Sequence, residues 1–173
     1  GRTFSEVDLP GGSKITTSTA VADVDGDGNL DIVVGNDGEN QVLFGSADGR
    51  TFSEVALPGG SKYTRSTAVA DVDGDGNLDI VVGNTGENQV LFGSAGRRTF
   101  SVFALPGGSR YTTSTAVTDV DGDGFVDIVV GNGGNNEGNQ VLFGSAGRSF
   151  SEVALAGGST TSSTSVADVD GDG

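Results

Sequence analysis

The residues of this chain whose types and spacing could do chemistry are aspartates, and they come in sets. Asp23, Asp25, Asp27 and Asp31 stand at positions 1, 3, 5 and 9 of "DVDGDGNLD". The same letters recur as Asp71, Asp73, Asp75 and Asp79, return with "DVDGDGFVD" as Asp119, Asp121, Asp123 and Asp127, and open once more as Asp168, Asp170 and Asp172. Alternation at the first three of these positions turns three carboxylates towards one point. Gly28 supplies the sharp turn that follows, and the next carbonyl, from Asn29, Asn77 or Phe125, can face the same point. Four carboxylates converging within about 4 Å would repel by roughly 4 kcal/mol per pair at the effective dielectric of a protein surface. The arrangement therefore predicts a bound cation. Oxygen-only donors select a hard ion, and a flexible ring of about six or seven oxygens suits Ca²⁺ better than Mg²⁺, which demands octahedral geometry. An EF-hand is ruled out, because Val34, Val82 or Val130 stands at position 12 in place of a bidentate glutamate. The plainer alternative is an Asp-Gly turn capped by its own side chains.

The charge balance favours the ion. The chain of 173 residues has 24 acids against nine Lys and Arg, a net charge of −15. Fifteen of the acids are the loop aspartates, and the other nine balance the nine bases, so the excess is local to the loops. A diffuse solubilising charge would not gather in copies of one loop. The acidity argues against nucleic acid or an anionic membrane as partner. No apolar run is long enough to span a bilayer and no signal-peptide pattern is present, so membrane insertion is not expected. Hydrophobic residues make up 34% of the chain, enough for a core. The absence of Cys removes disulfides and thiol chemistry without fixing a compartment.

The elements that must position these loops repeat with them. The first loop aspartates fall at 23, 71, 119 and 168, and residues 1–48 and 49–96 differ at only five positions. The chain divides into repeats at 1–48, 49–96 and 97–147, with a truncated fourth at 148–173. A three-residue insertion in "GNGGNNEGNQV" at 131–141 marks a surface turn. Each repeat carries four short apolar stretches bounded by Gly, Asn, Pro and Ser, such as "TFSEVAL" at 51–57, "STAVADV" at 66–72, "LDIVVGN" at 78–84 and "NQVLFGS" at 88–94. Their length and Val, Ile, Phe and Thr content read as strands, and no window reads as an amphipathic helix. The expected fold is all-β: a β-propeller of four-stranded antiparallel blades, about three and a half of them here. Strands crowd together near a propeller axis, so the small side chains of "STAVA" place that stretch innermost, then "LDIVV" and "QVLF", with "TFSEVAL" outermost. The aspartate loop then joins the first and second strands.

"DVDGDGNLDIVVGN" followed by "NQVLFGS" resembles the FG-GAP or VCBS repeat, the calcium-binding propeller blade of integrin alpha-subunit heads and of many secreted bacterial and fungal proteins. The resemblance covers essentially the whole chain. It implies that the loop aspartates and the position-7 carbonyl ligate Ca²⁺ in the three complete loops, Phe125 serving through its backbone. The fourth loop stops at Gly173 without positions 7 and 9, so Asp168, Asp170 and Asp172 would form a weak or empty site unless completed from elsewhere. The resemblance also implies an extracellular location. The family usually closes about seven blades, so ring closure is expected to need self-association or additional blades. Innermost residues 163–169 and outermost residues 3–9 could share a fourth blade lacking its middle strands.

The leading functional reading is a non-catalytic, calcium-stabilised binding or structural module. Filling three loops would move the net charge from −15 to −9. Some relatives bind sugars between blades, and Tyr63, Arg65 and Tyr111 vary among near-identical copies, making them candidates for stacking on a carbohydrate; turn decoration is the plainer account. A protein ligand is the other partner considered. An enzyme would lack His and Cys and would have to use acids such as Glu6, Glu54 or Glu152, which recur as solvated strand positions. A fragment of a secreted enzyme and a designed or reconstructed repeat scaffold without a selected ligand stand as alternatives.

Overall fold

The computed structural model describes residues 6–96, 98–134, 137–157 and 160–169. Its ten strands are β1 (Thr16–Ala22), β2 (Asp31–Gly38), β3 (Gln41–Gly45), β4 (Phe52–Ala56), β5 (Lys62–Ala70), β6 (Asp79–Gly93), β7 (Phe100–Thr118), β8 (Asp127–Asn132), β9 (Gln140–Ser145) and β10 (Ser149–Ala154). All pairings are antiparallel, and the order is β10-β9-β8-β7-β6-β5-β2-β3-β4 with β1 beside β2, an array that is not closed. No helix occurs among the described residues.

The array is three successive blades. In the first, β1 to β4 lie side by side, with Ala20 opposite Val33, Val33 opposite Val42 and Val42 opposite Val55. The third repeats this row as Ala116, Val129, Val141 and Val153 across β7, β8, β9 and β10. In the second blade the middle strands run on as the single element β6, and its outermost strand continues through β7 into the innermost strand of the third. The strand order therefore follows the one expected from side-chain size. Each blade takes its outermost strand from the opening of the next repeat, so no blade is complete on its own repeat's residues.

Side-chain alternation explains why "DIVV" is apolar throughout. Ile80 and Val82 face the first blade, packing with Val24, Val33, Val42, Phe44 and Leu57. Val81, one residue out of phase, faces the third blade, packing with Val72, Phe92, Leu105, Ile128 and Leu142. A middle strand buried on both faces reads as a continuous hydrophobic run. Each such side chain contributes about 1.5–3 kcal/mol on burial.

A polar chain crosses the same joints. Thr64 is fully buried; its hydroxyl accepts from Asn40 Nδ2 (2.9 Å) and donates to Asn84 Oδ1 (2.9 Å). Asn88 Nδ2 then donates to the buried Thr112 hydroxyl (2.9 Å), which donates to Asn132 Oδ1 (3.1 Å). Within each blade, the side-chain oxygen of Asn40, Asn88 or Asn139 accepts the backbone N–H of Asn36, Asn84 or Asn132. The first strands also join directly, through Ser18 and Thr67 (2.9 Å) and through Ser66 and Thr115 (2.9 Å).

Residues 6–9 and 163–169, expected as strands, carry no ladder pairing, and 3–5 lie outside the described residues. Among the described residues no neighbouring strand pairs with 163–169 to make a ladder. The segment nonetheless docks where a fourth innermost strand belongs: Thr164 meets Ser114 (3.0 Å) as Thr115 meets Ser66, and Thr161 N–H donates to the Asn132 carbonyl (2.9 Å).

Thr64→Val should cost about 2–3 kcal/mol, because it leaves the buried Asn40 Nδ2 and Asn84 Oδ1 each without a partner. Thr16→Val, at the exposed equivalent position, removes only the one bond to Asn36 (3.1 Å) and should cost less, about 1 kcal/mol. Urea unfolding of the two variants checks the difference.

Candidate metal centre

Each complete aspartate loop links a blade's innermost strand to its second: 23–30 between β1 and β2, 71–78 between β5 and β6, 119–126 between β7 and β8. Both glycines of each "DGDG" are left-handed, with φ of 74° and 88° at Gly26 and Gly28, which a side chain would disfavour. The first carboxylate organises the turn: Asp23 accepts the N–H groups of Asp27 (3.0 Å) and Gly28 (2.9 Å), and Asp71 accepts those of Asp75 and Gly76. Asp119 does the same with Gly122 (2.7 Å) and Gly124 (2.9 Å). Asp25 accepts the Asp27 N–H (3.1 Å).

Asn29 has a side-chain role that its position alone did not reveal. Its backbone N–H and its Nδ2 both donate to Asp27 Oδ1 at 2.8 Å, and Asn77 holds Asp75 in the same way. Phe125 keeps only the backbone bond, to Asp123 (2.9 Å).

The ninth-position aspartate is fully buried and belongs to the blade interior. Asp79 accepts the Val72 N–H on Oδ2 and the Gly93 N–H on Oδ1, both at 2.8 Å; Asp31 and Asp127 bridge Val24 to Gly45 and Val120 to Gly144 in the same way. Burial pushes the Asp79 carboxyl up to about 6, against the two N–H donors and with the Asp73 and Asp75 charges adding to the rise. Burial raises Asp31 as well.

Carboxylate oxygens lie within 4.8 Å of one another for Asp23, Asp25 and Asp27, for Asp71, Asp73 and Asp79, and for Asp119, Asp121 and Asp127. The third member is thus position 5 in the first loop and position 9 in the other two. An oxygen-only set of this density fits a hard divalent cation. Of the truncated loop, Asp168 lies in the unladdered segment, while Asp170 and Asp172 fall outside the described residues.

Two arginines at these loops were not singled out by spacing. Arg98 Nε meets Asp25 Oδ2 at 2.5 Å and Arg148 Nε meets Asp73 Oδ2 at 2.5 Å. The other candidate cluster does assemble: the Arg65 guanidinium lies 4.5 Å from the Tyr63 ring centroid and 4.8 Å from that of Tyr111, and it donates to the Tyr111 hydroxyl. Arg65 thereby covers a face of each ring. Of the acids considered for catalysis, Glu54 pairs with Lys14 (3.9 Å), Glu152 accepts from Gln140 and Arg110, and Glu6 is exposed.

The profile of the FG-GAP-like repeat matches residues 23–82, 71–130 and 119–173. The chain belongs to this family. No curated protein matches it. The matched spans start at the first aspartate of each complete loop and run through the next loop, so an FG-GAP-like repeat here includes one blade's middle strands together with the joint to its neighbour. Membership makes the chain a propeller-type binding or structural module.

The glycine of "LFGS" has its own constraint. A Cβ on Gly93 would lie 2.3 Å from the Leu78 carbonyl oxygen, with the same approach at Gly45 and Gly144. Gly93→Ala should therefore cost about 3 kcal/mol by displacing the N–H bound to Asp79, a loss readable by urea unfolding. A pH dependence follows from Asp79 itself. Its folded pKa of about 6 lies above the unfolded value of about 3.9, so its contribution is fully present below the latter and is lost as pH rises through 6. Metal-stripped protein should accordingly melt at a higher temperature at pH 5 than at pH 7. Calcium-loaded protein should show the reverse, because bound metal requires ionised carboxylates. Melting curves across that range, with and without metal, read both.

Proposed function

We propose that this protein is a non-catalytic, calcium-stabilised propeller module that works outside the cell, where millimolar calcium suits sites of modest affinity. The observation that carries the reading is the three oxygen-only aspartate sets, built at the same strand junction in each blade. Asp23, Asp25 and Asp27 with the Asn29 carbonyl and Asp31 would hold the ion in the first loop, and the equivalent residues would do so in the other two. The bound ion would supply positive charge where carboxylates crowd, stiffening the turn between the innermost and second strands. The module's ligand is read as a carbohydrate or a protein surface. Tyr63, Arg65 and Tyr111 are the candidate contacts, at the ends of the innermost strands away from the aspartate loops. A sugar would have to use the ring faces that Arg65 leaves open.

Closing the ring is assigned to further blades or to another copy of the chain. The uncovered outer blades support this. Val72 and Leu105 are each 4% exposed between blades, whereas their equivalents Val120 and Leu155 on the third blade are each 41% exposed. On the first blade, Val21 and Leu30 are 61% and 64% exposed.

Calorimetric titration should find three calcium sites. Calcium at about 2 mM should raise the melting temperature by about 5–10 °C over chelated protein, corresponding to about 2–3 kcal/mol of linkage. Asp71→Asn should remove one site. A melting curve indifferent to calcium and chelator alike would overturn the calcium reading.

A further inference from the structure

Arg98 and Arg148 each reach from one blade into the aspartate loop of the blade before it. Arg98 stands in the turn between the third and outermost strands of the second blade. Its Nε pairs with Asp25 (2.5 Å) and its Nη2 with Asp27 (3.3 Å), both in the first blade's loop. The guanidinium also lies 4.4 Å from the Phe44 ring centroid, and its Nη1 donates to Ser53 (3.2 Å). Arg148, in the corresponding turn of the third blade, repeats the arrangement on the second: Asp73 at 2.5 Å, Asp75 at 3.6 Å and the Phe92 ring at 4.2 Å. Both arginines hold left-handed backbone, with φ of 47° and 61°, a conformation that costs energy for a residue with a side chain.

At the third loop, among the described residues, no ion pair reaches Asp121 or Asp123. The difference shows in exposure. The Asp25 and Asp73 side chains are only 5% and 6% exposed under their arginines, whereas Asp119 and Asp121 are exposed. Arg50, the equivalent of Arg98 one repeat earlier, pairs with none of the three loops.

We infer that Arg98 and Arg148 are tethered counter-cations of the first and second aspartate loops. They join neighbouring blades through the loops and lower the divalent-ion affinity of those two loops below that of the third. The affinity difference rests on the calcium reading above; the joint between blades does not. The arginine uses Oδ2 of Asp25 and of Asp27, leaving Oδ1 of each to backbone donors, so the loop is charge-compensated by the neighbouring blade. A unit charge beside a divalent ion at such a loop changes affinity by on the order of tenfold.

The test is calcium titration of the whole chain by calorimetry, with Arg98→Ala, Arg98→Gln, Arg148→Ala and Arg50→Ala beside the unaltered protein. The unaltered protein should show one tighter site and two weaker by about tenfold, with Asp119→Asn removing the tighter one. Arg98→Ala and Arg148→Ala should each tighten one weak site by about that factor, and Arg50→Ala should change none. Arg98→Gln keeps a side chain over Phe44 without the charge and should match Arg98→Ala, including where the alanine variant folds poorly. Three equal sites, or weaker binding in Arg98→Gln, would overturn the affinity assignment. The joint is read separately in chelator, where Arg98→Gln and Asp25→Asn should each lower the melting temperature and together lower it by less than the sum. Additive effects would overturn the joint. If no variant takes up calcium, the calcium reading and the affinity assignment fail together, and this chelated cycle still decides the joint.

Discussion

The fold of each blade depends on one buried carboxylate that accepts two backbone N–H groups. Asp31, Asp79 and Asp127 each bridge the residue after the loop's first aspartate to the glycine of the third strand. That single contact ties three separate pieces of chain: the loop entrance, the start of the second strand and the end of the third. It also dictates the glycine, since the N–H can reach the carboxylate only where the strand passes against the Leu30, Leu78 or Val126 carbonyl. A charge taken this far from water is tolerated because charge-assisted bonds satisfy both oxygens. Desolvation still wins at Asp79, whose carboxyl is pushed up to about 6. The blade thus retains an electrostatic strain that positive charge at the loop would relieve.

Blades adhere to one another by two means with different demands. The apolar interface is non-directional and works because alternate residues of "DIVV" serve opposite neighbours. The Thr–Asn chain is directional. Asn40, Thr64 and Asn84 satisfy each other only when one blade sits at the correct height and angle against the next. Hydrophobic contact supplies most of the adhesion, and the buried amides fix the register of the stack. A repeat whose copies are nearly identical needs such a device, because its apolar surfaces alone would fit several offsets.

Much of this was legible in sequence because the signals were local. Strand lengths and the apolar runs are local, and the small residues of "STAVA" placed the blade's strands in order; that "DIVV" packs on both faces shows only in the blades. The loop's turn was legible from Gly28, whose left-handed backbone is a local necessity that Gly26 shares. What was not legible lies between repeats. Asn40, Asn88 and Asn139 merely open the "NQV" stretch in sequence, yet they cap the second strand and, at Asn40 and Asn88, hold the next blade's threonine. Arg98 lies 73 residues from Asp25, and nothing in its flanking "GRRTF" announces the contact. The ninth-position aspartate reads as a loop ligand, and only the third strand's approach adds its structural task of accepting two backbone N–H groups. The expected strand at 163–169 failed for a related reason: its composition is right, but strand character belongs to a pair.

The three loops are nearly alike in letters and differ in physics because a blade's environment includes its neighbour. The first and second are covered by a guanidinium held over an aromatic ring, and the third is open. Any property of the aspartates, whether ion affinity, protonation or the stiffness of the turn, is therefore set by two repeats at once. Extending the array by one blade would alter the loop of the blade before it without changing a residue there. In a propeller of this kind the electrostatics of the loops and the packing of the blades are coupled at each joint, and the blade pair is the smallest unit in which either is complete.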